Sequence, residues 1–355
     1  MADITVGVIG CGIGQLHVEG FVADPRVHLA AIAGLDVDRC KRVQSKHAIP
    51  TRYEDYQEML ADPSIDMVSV GVPNHLHKEV TIAALKAGKH VLVEKPLAQN
   101  SADGEAMVAA AQQSGKQLGI IFNRRGRHDV QIVRDLVQRG EFGEIYHAKA
   151  YWMRRSGIPG LGTWFTNKQL AGGGPLIDLG VHVIDMALWM MGDPKVVAVS
   201  AATYAALGPQ GKGQWLGRRD ATNDYAYEVE DFATALLRFE NGSTLQLDTS
   251  WAGYTRHNDE FGASLMGTNG GADIVVKDYA ETGTLTLFGD VEGVPAVTTP
   301  TLIARHGHGE IGRMFVDAIL AGVPFSPSGE EGLQRVRLIE AIYASAELGR
   351  EIAIS

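Results

Sequence analysis

The chain has 355 residues, of which 45% are hydrophobic and 21% charged, and its formal net charge is −10 at pH 7. This length is sufficient for two domains with separate hydrophobic cores. The negative charge disfavours nucleic acids and anionic membranes as partners, because both attract basic surfaces. No unbroken apolar run approaches the roughly 20 residues of a membrane span, and the first residues lack a signal-peptide pattern.

The two cysteines, Cys11 and Cys40, have no metal-like spacing. We therefore expect neither a disulfide nor a metal site, structural zinc included. Together these properties predict a soluble cytoplasmic protein that uses a cofactor.

The first 122 residues alternate short apolar strands with helical segments. Strands are predicted at 4–9, 27–35, 66–70, 91–93 and 118–122, and helices at 15–23, 37–46, 53–60, 75–87 and 101–114. This alternation is typical of a doubly wound parallel sheet in an α/β domain. We place this domain at residues 1–122.

Residues 123–355 have a different pattern and are predicted to form a second α/β domain. Long strands dominate its middle, and Asn241-Gly242 is a strong hairpin signal. Such strands in succession indicate an open, largely antiparallel sheet. We predict strands at 143–153, 196–204, 229–239, 243–252, 260–266, 272–276 and 284–288, helices at 129–139, 175–191, 309–321 and 330–348, and a surface loop at 207–223.

A glycine loop follows the first strand and precedes the first helix. Gly10, Gly12 and Gly14 would let the backbone approach a pyrophosphate, while the helix N-terminus would supply N–H donors. The third glycine comes one residue earlier than in the usual G-x-G-x-x-G. This context predicts a dinucleotide site, with a simple tight turn as the alternative.

Polar residues end the next strands of the predicted sheet. Asp36 would bind the adenosine ribose hydroxyls and repel the extra phosphate of NADP, so NAD is favoured and NADP is left open. Asn74 would face the same crevice, or alternatively cap the helix at 75–87.

The strand Val91-Leu92-Val93 runs directly into Glu94-Lys95-Pro96. Proline ends the strand, and the carboxyl ends of parallel strands are where ligands bind. Lys95 is therefore a candidate for proton transfer, although an ordinary solvated ion pair with Glu94 would give the same pattern.

Asp178 and His182 are four residues apart within an apolar helical segment that follows three glycines. They would share one inward face of the helix, where a polar pair is costly unless it serves chemistry or a hydrogen-bond network. A histidine is a natural general base for an alcohol proton, and a carboxylate would orient it. A structural Asp–His pair is the alternative.

These stretches together resemble the glucose–fructose oxidoreductase / inositol dehydrogenase / MocA family. The resemblance covers essentially the whole chain and depends on the glycine loop, 73–77, 87–96, 173–182 and the closing helix at 341–349. It implies an N-terminal Rossmann domain, a cis bond before Pro96, and a second sheet that mediates a homodimer or homotetramer.

The resemblance also implies the chemistry. Lys95 would bind the reacting hydroxyl, His182 would be the general acid/base, and Asp178 would be its partner. The expected cofactor contacts are Gly10, Gly12, Ile13, Gly14, Asp36, Pro73, Asn74, His77, Glu94, Lys95 and Asn123. The expected substrate contacts are Lys95, Asn123, Arg124, Trp152, Arg155, Trp164, Asp178 and His182.

The resulting hypothesis is an oxidoreductase that transfers a hydride between NAD and a secondary alcohol or ketone of a sugar, sugar derivative or inositol. Two alternatives remain open: an NAD-dependent glycosidase that oxidises transiently and eliminates, and a non-catalytic NAD-binding regulatory relative.

Overall fold

A computed structural model describes residues 3–215 and 226–354. Contacts within it divide the chain into two compact units. The first comprises Met1–Gly126 and His306–Arg337, and the second comprises Arg127–Arg305 and Leu338–Ser355.

The first unit contains a six-stranded parallel sheet with the order β3-β2-β1-β4-β5-β6. Its strands are β1 (Ile4–Ile9), β2 (Val27–Ala33), β3 (Thr51–Tyr53), β4 (Met67–Val70), β5 (His90–Glu94) and β6 (Leu118–Ile121). Its helices are α1 (Gly14–Val22), α2 (Val37–His47), α3 (Tyr56–Leu60), α4 (His77–Lys86) and α5 (Ser101–Ser114). The predicted doubly wound parallel sheet is confirmed.

The predicted helix at 53–60 is wrong at its start. Thr51–Tyr53 is instead an edge strand paired with β2, and α3 begins at Tyr56. Asp55 caps α3, because its side chain accepts a hydrogen bond from Gln57 N at 2.8 Å. Three residues at a sheet edge are too few to show a strand period in the sequence.

A late segment of the chain completes the core of the first unit. The helix α9 (Gly307–Ala321) contributes Ile311, Phe315 and Val316 to the same buried cluster as Val18 and Phe21 of α1. The predicted domain division placed this segment in the second domain, since a return of the chain leaves no local signal.

The second unit contains a nine-stranded sheet with the order β14-β13-β12-β11-β7-β10-β9-β8-β15. All its strand pairs are antiparallel except β7 with β10, which confirms the largely antiparallel sheet. Its strands are β7 (Ile145–Arg154), β8 (Val196–Tyr204), β9 (Phe232–Phe239), β10 (Thr244–Ser250), β11 (Asp259–Gly267), β12 (Gly271–Lys277), β13 (Leu285–Val291), β14 (Val294–Thr298) and β15 (Ile352–Ala353). Its helices are α6 (His128–Gln138), α7 (Lys168–Ala171), α8 (Val181–Met191) and the end of α10 (Gly329–Leu348).

The predicted loop at 207–223 is only partly described. Leu207 and Gly208 donate their backbone N–H groups to Asp231 Oδ2 at 2.6 and 2.8 Å, and Gly208–Gln210 forms one 3₁₀ turn. Residues 216–223 lie outside the described residues.

One stretch of the second unit has the length and mean hydropathy of a membrane span. It is Lys168–Met191, with a mean hydropathy of 1.3, and 83% of the apolar window is buried inside the protein. Burial of this kind is typical of the core helix of a soluble protein.

The expectation that the cysteines form no disulfide is wrong. Cys11 of the glycine loop and Cys40 of α2 form a disulfide, with their Cα atoms 5.4 Å apart. The sequence suggested no pairing because the two residues are 29 positions apart, and only the fold brings the loop against α2.

Candidate active site

The parallel strands of the first unit bring the predicted cofactor residues to one edge of the sheet. Their carboxyl ends meet there, and the order of strands reverses between β1 and β4, which is where such sheets bind ligands. The residues that end or follow these strands are Gly10, Gly12, Ile13 and Gly14 after β1, Asp36 after β2, Pro73 and Asn74 after β4, Glu94 and Lys95 at β5, and Asn123 and Arg124 after β6.

The glycine loop brings the end of β1 very close to the end of β4. Gly10 has a φ of +103°, and a Cβ there would lie 2.3 Å from the carbonyl oxygen of Gly71. A Cβ at Gly14 would meet Val8 Cγ1 at 3.1 Å, so this third glycine lets α1 pack on β1 despite the shortened spacing. The side chain of Gln15 donates to Cys11 O at 3.1 Å and holds the loop.

The loop and its surroundings fit a dinucleotide. A Cβ at Gly12 would meet only Arg39 Nη1, at 3.7 Å, so space is left beside the backbone. The first turn of α1 has neither a side-chain cap nor an acidic residue, so no side chain competes with an anion at this positive end of the helix. Ile13 and Leu35 are exposed apolar side chains next to the loop, suited to the faces of a nucleotide base.

Asp36 lies after β2 with its carboxylate half-exposed. It caps α2 by accepting a hydrogen bond from Arg39 N at 3.0 Å, and it forms an ion pair with Arg39 Nε at 3.3 Å. One carboxylate oxygen has acceptor capacity beyond these contacts, so the position suits ribose hydroxyls. After β4, Asn74 begins the 3₁₀ turn Asn74–Leu76. The carbonyl oxygen of Asn74 accepts a hydrogen bond from His77 N.

Glu94 lies at the centre of a buried polar cluster. His17 Nε2 donates to Glu94 Oε1 at 2.9 Å, and His308 Nε2 lies 3.4 Å from the same oxygen. Lys95 N donates to Glu94 Oε2 at 3.1 Å, and Ser69 Oγ lies 3.0 Å from His17 Nδ1. Burial raises the pKa of Glu94, but the hydrogen bonds from both histidines outweigh this and hold its pKa well below 4.5. Glu94 therefore acts as a buried anion that fixes the backbone of Lys95.

The turn after Lys95 is held from the other side by His77. The peptide bond Lys95–Pro96 is cis, as the resemblance implies. His77 Nδ1 lies 2.7 Å from Pro96 O and Nε2 lies 3.0 Å from Val72 O. Burial lowers the pKa of His77, while these two carbonyls oppose that shift. Lys95 is half-buried at the end of β5.

Asn123 and Arg124 follow β6 in the short 3₁₀ turn Asn123–Gly126, and both are buried. Asn123 Nδ2 lies 3.3 Å from the ring of His308, whereas the side-chain oxygen of Asn123 has no hydrogen-bond partner in the described part of the chain. A buried acceptor in this state is available to a donor on a ligand.

Asp178 and His182 lie in the second unit at the start of its main helix. The predicted α-helix at 175–191 begins instead with a π turn, Leu176–Gly180, that continues into α8. Asp178 lies within the π turn and His182 in the first turn of α8. Single π turns in helices are frequent at functional sites, and they widen the helix by one residue.

An aromatic side chain contacts each of these two residues. Trp251 Nε1 donates to Asp178 Oδ2 at 2.9 Å, and the ring of Trp152 lies 5.6 Å from that of His182, centroid to centroid. Trp152 is fixed in turn, because its Nε1 donates to Asp259 Oδ1 at 2.7 Å.

The other two predicted substrate residues of this unit have different surroundings. Arg155 is exposed, and its guanidinium donates to the carbonyls of Thr255 and Arg256 at 2.9 and 3.1 Å. Trp164 starts a 3₁₀ turn and stacks on Phe165, with centroids 3.9 Å apart.

Sequence reasoning missed several residues that support these groups. Arg154 is buried beside Trp152 and donates to Asp259 Oδ2 at 3.0 Å and to Tyr279 Oη at 2.7 Å. Its place beside Trp152 in the strand suggests a part in the substrate wall, but the sequence does not indicate these partners. The other missed residues, His17, His308, Glu230 and Trp251, lie far from their partners along the chain and carry no local pattern.

The first unit is thus the nucleotide-binding domain of a dehydrogenase. Residues 4–122 match the oxidoreductase family GFO/IDH/MocA, described as an NAD-binding Rossmann fold, and residues 130–273 match the C-terminal domain of the same family. The chain belongs to this family and is an NAD(P)-dependent oxidoreductase.

Named relatives extend over nearly the whole chain. D-glucoside 3-dehydrogenase of Escherichia coli K12 is 31% identical over 99% of this chain and 98% of that protein. Levoglucosan dehydrogenase of Pseudarthrobacter phenanthrenivorans is 27% identical over 98% and 97%. A structure of levoglucosan dehydrogenase in complex with NADH and L-sorbose matches with a TM-score of 0.88 and 25% identity, covering 100% of both chains.

Proposed function

We propose that this chain transfers a hydride between NAD and a secondary alcohol or ketone on the ring of a sugar, sugar derivative or inositol. The observation that carries the proposal is that Asp178 and His182 lie four residues apart at the start of one helix, with the ring of His182 beside that of Trp152. An acid/base group beside an aromatic face suits a hydroxyl on a ring whose C–H groups pack on that face. The likeness to D-glucoside 3-dehydrogenase and to levoglucosan dehydrogenase favours a glucoside or anhydrosugar within this class.

The cofactor would be held by the sheet edge of the first unit. The loop N–H groups at Gly12 and Gly14 would bind the pyrophosphate, and Asp36 would bind the ribose. Gly10 and Ile13 would shape the loop, and Pro73, Asn74 and Asn123 would line the crevice. His77 and Glu94 would contribute indirectly, because they hold the Lys95–Pro96 turn in place. When bound, NAD supplies the hydride acceptor.

The protein's own groups would handle the proton. His182 would take the hydroxyl proton during oxidation, and Asp178 would orient its ring and stabilise the imidazolium. Lys95 would donate a hydrogen bond to the reacting oxygen and relay the proton. Trp152 would pack on the substrate ring, while Arg124, Arg155, Trp164 and Asn123 would bind its remaining hydroxyls.

Turnover of NAD with a panel of glucosides, anhydrosugars, free aldoses and inositols tests the proposal. We expect Lys95→Ala and His182→Ala to lower kcat by about 10²-fold or more, the usual range for an acid/base group, while both still bind NAD. NAD binding is measured by calorimetry on the same preparations. Turnover close to that of the wild type in both variants would contradict the proposal.

Product analysis separates the two alternative functions. An NAD-dependent glycosidase would release a free sugar from a glycoside with no net change in NADH absorbance. A regulatory relative would bind NAD tightly and turn over no member of the panel.

A cytoplasmic homodimer or homotetramer assembled through the second sheet belongs to the same proposal. Tyr204, Met266 and Phe288 are exposed apolar side chains on strands of this sheet and would suit such an interface. Light scattering on the purified protein tests the assembly, and a monomer at micromolar concentration would contradict it.

A further inference from the structure

Backbone N–H groups at the start of the helix that carries Asp178 and His182 donate to a buried carboxylate from another part of the second unit. Glu230 Oε2 accepts a hydrogen bond from Gly174 N, and Oε1 accepts one from Leu176 N, both at 3.0 Å. No side chain caps this helix locally, since its N-cap residue is Pro175. Glu230 therefore takes the place of a capping residue and complements the positive end of the helix dipole.

Tyr343 of α10 holds Glu230 in place. Its hydroxyl donates to Glu230 Oε1 at 2.8 Å. The surrounding backbone is closely packed, because a Cβ at Gly173 would lie 2.1 Å from Tyr343 Oη and a Cβ at Gly174 would lie 2.1 Å from Glu230 O. Burial raises the pKa of Glu230 against the three donated bonds, and burial beside this carboxylate raises the pKa of Tyr343 well above 10. The two glycines thus allow a tight contact that fixes where the helix begins.

Trp251 constrains the same helix three residues into it. Its indole is fully buried and donates to Asp178 Oδ2, so this oxygen of the carboxylate is held by a rigid side chain. Thr249, on β10 and two residues before Trp251, donates its Oγ1 hydroxyl to Pro175 O at 3.1 Å. The π turn is therefore held at its first residues by Glu230 and at Asp178 by Trp251.

We propose that Glu230 and Trp251 are positioning residues that set the geometry of Asp178 toward His182. Neither needs to touch substrate or cofactor in this role. Glu230 fixes the register of the π turn, and Trp251 fixes the orientation of the Asp178 carboxylate within it. The inference rests on the proposed function, in which Asp178 orients the histidine that moves the proton.

The sharpest test is Trp251→Phe, which keeps an aromatic ring and removes the N–H donor. Without this donor the Asp178 carboxylate loses its fixed orientation and stabilises the His182 imidazolium less well, so the acid limb of the kcat–pH profile moves to lower pH. We expect kcat to fall about tenfold at neutral pH, with the substrate KM and the NAD affinity within about twofold of wild type. Trp189→Phe, at a half-buried position of α8, is the matched control and should leave kcat and the pH profile unchanged.

Glu230→Gln tests the start of the helix. An amide keeps one acceptor oxygen and leaves Gly174 N or Leu176 N without its partner, so we expect the same loss in kcat with NAD binding retained. Tyr343→Phe, which removes only one hydroxyl, should give a smaller loss in the same direction. It replaces Glu230→Gln if that variant does not fold, as judged by circular dichroism.

The outcomes separate this inference from the proposed function. If Lys95→Ala and His182→Ala are inactive while Trp251→Phe and the Glu230 and Tyr343 variants keep the wild-type kcat and pH profile, the positioning role is refuted and the function stands. If Trp251→Phe lowers the melting temperature but moves neither kcat nor the profile, its role is structural and the inference is again refuted. Activity in Lys95→Ala and His182→Ala refutes the function itself.

Discussion

We expect the choice between NAD and NADP to depend on Asp36. Its carboxylate would repel a 2′-phosphate and also engages Arg39, whose guanidinium lies beside the glycine loop. We predict that Asp36→Ser raises the ratio of kcat/KM for NADP over NAD by about tenfold or more, because it removes one negative charge and frees Arg39 for a phosphate. Steady-state kinetics with both cofactors measures this ratio.

Asp38→Ser is the matched control for this change. Asp38 is exposed in the first turn of the same helix, so its loss alters the net charge equally and should leave the ratio within about twofold. An equal shift in both variants would mean that general charge, and not the position of Asp36, determines the preference.

Single residues next to recognisable strand ends could be predicted from the sequence. Gly10, Asp36 and Lys95 each follow a short apolar run, and that order alone places them at one edge of a parallel sheet. His308 and Trp251 could not be found this way. Each acts through a partner far away in the chain, and nothing near either residue records that partner.

At the scale of elements, the strands and helices with strong periodicity were predicted closely. The bounds of α5 and β8 agree with the sequence expectation to the residue. The π turn before α8 was not predicted, because Asp178 and His182 have the same spacing in a π turn and in an α-helix. The residues that contact the π turn, Glu230 and Trp251, are distant in the chain and give no local signal of it.

Glu94 of β5 contacts His17 of α1 and His308 of α9. Because these groups titrate, the free energy of unfolding depends on pH. The pKa of Glu94 lies well below 4.5 in the folded protein, so the ionised carboxylate stabilises the fold above pH 4.5 and this contribution is lost as the pH falls through the folded value. Burial also lowers the pKa of His308 from 6.5, so stability rises with pH up to that value as well. Both groups therefore weaken the first unit on acidification.

We predict that Glu94→Gln lowers the free energy of unfolding by about 2 kcal/mol at pH 7 and flattens its decline at acid pH. Urea unfolding between pH 3.5 and pH 7 measures both effects. The control is Glu54→Gln, whose side chain is exposed and should change neither quantity by more than about 0.5 kcal/mol. A steeper decline at acid pH in Glu94→Gln than in wild type would contradict the assigned pKa direction.

At the scale of the whole molecule, the first unit is discontinuous in sequence. We predict that a fragment ending at residue 122 aggregates, because it lacks α9 and exposes the apolar surface that Ile311, Phe315 and Val316 cover. Joining 1–126 through a short flexible linker to 306–337 should restore a soluble unit that binds NAD. Gel filtration and calorimetry with NAD compare the two fragments, and a soluble, NAD-binding 1–122 fragment would show that α9 is dispensable.

The return of the chain to the first unit also has a consequence for biosynthesis. The ribosome delivers the glycine loop and all six strands of the parallel sheet early, but the helix that closes their core is made nearly 200 residues later. Domains usually complete their folds in the order of synthesis. Here the nucleotide-binding unit has to remain unfinished, with one apolar face uncovered, while eight of the nine strands of the second sheet are translated. Chaperone dependence during synthesis should therefore fall on the amino-terminal half, whose parallel strand pairs are also intrinsically slow to form.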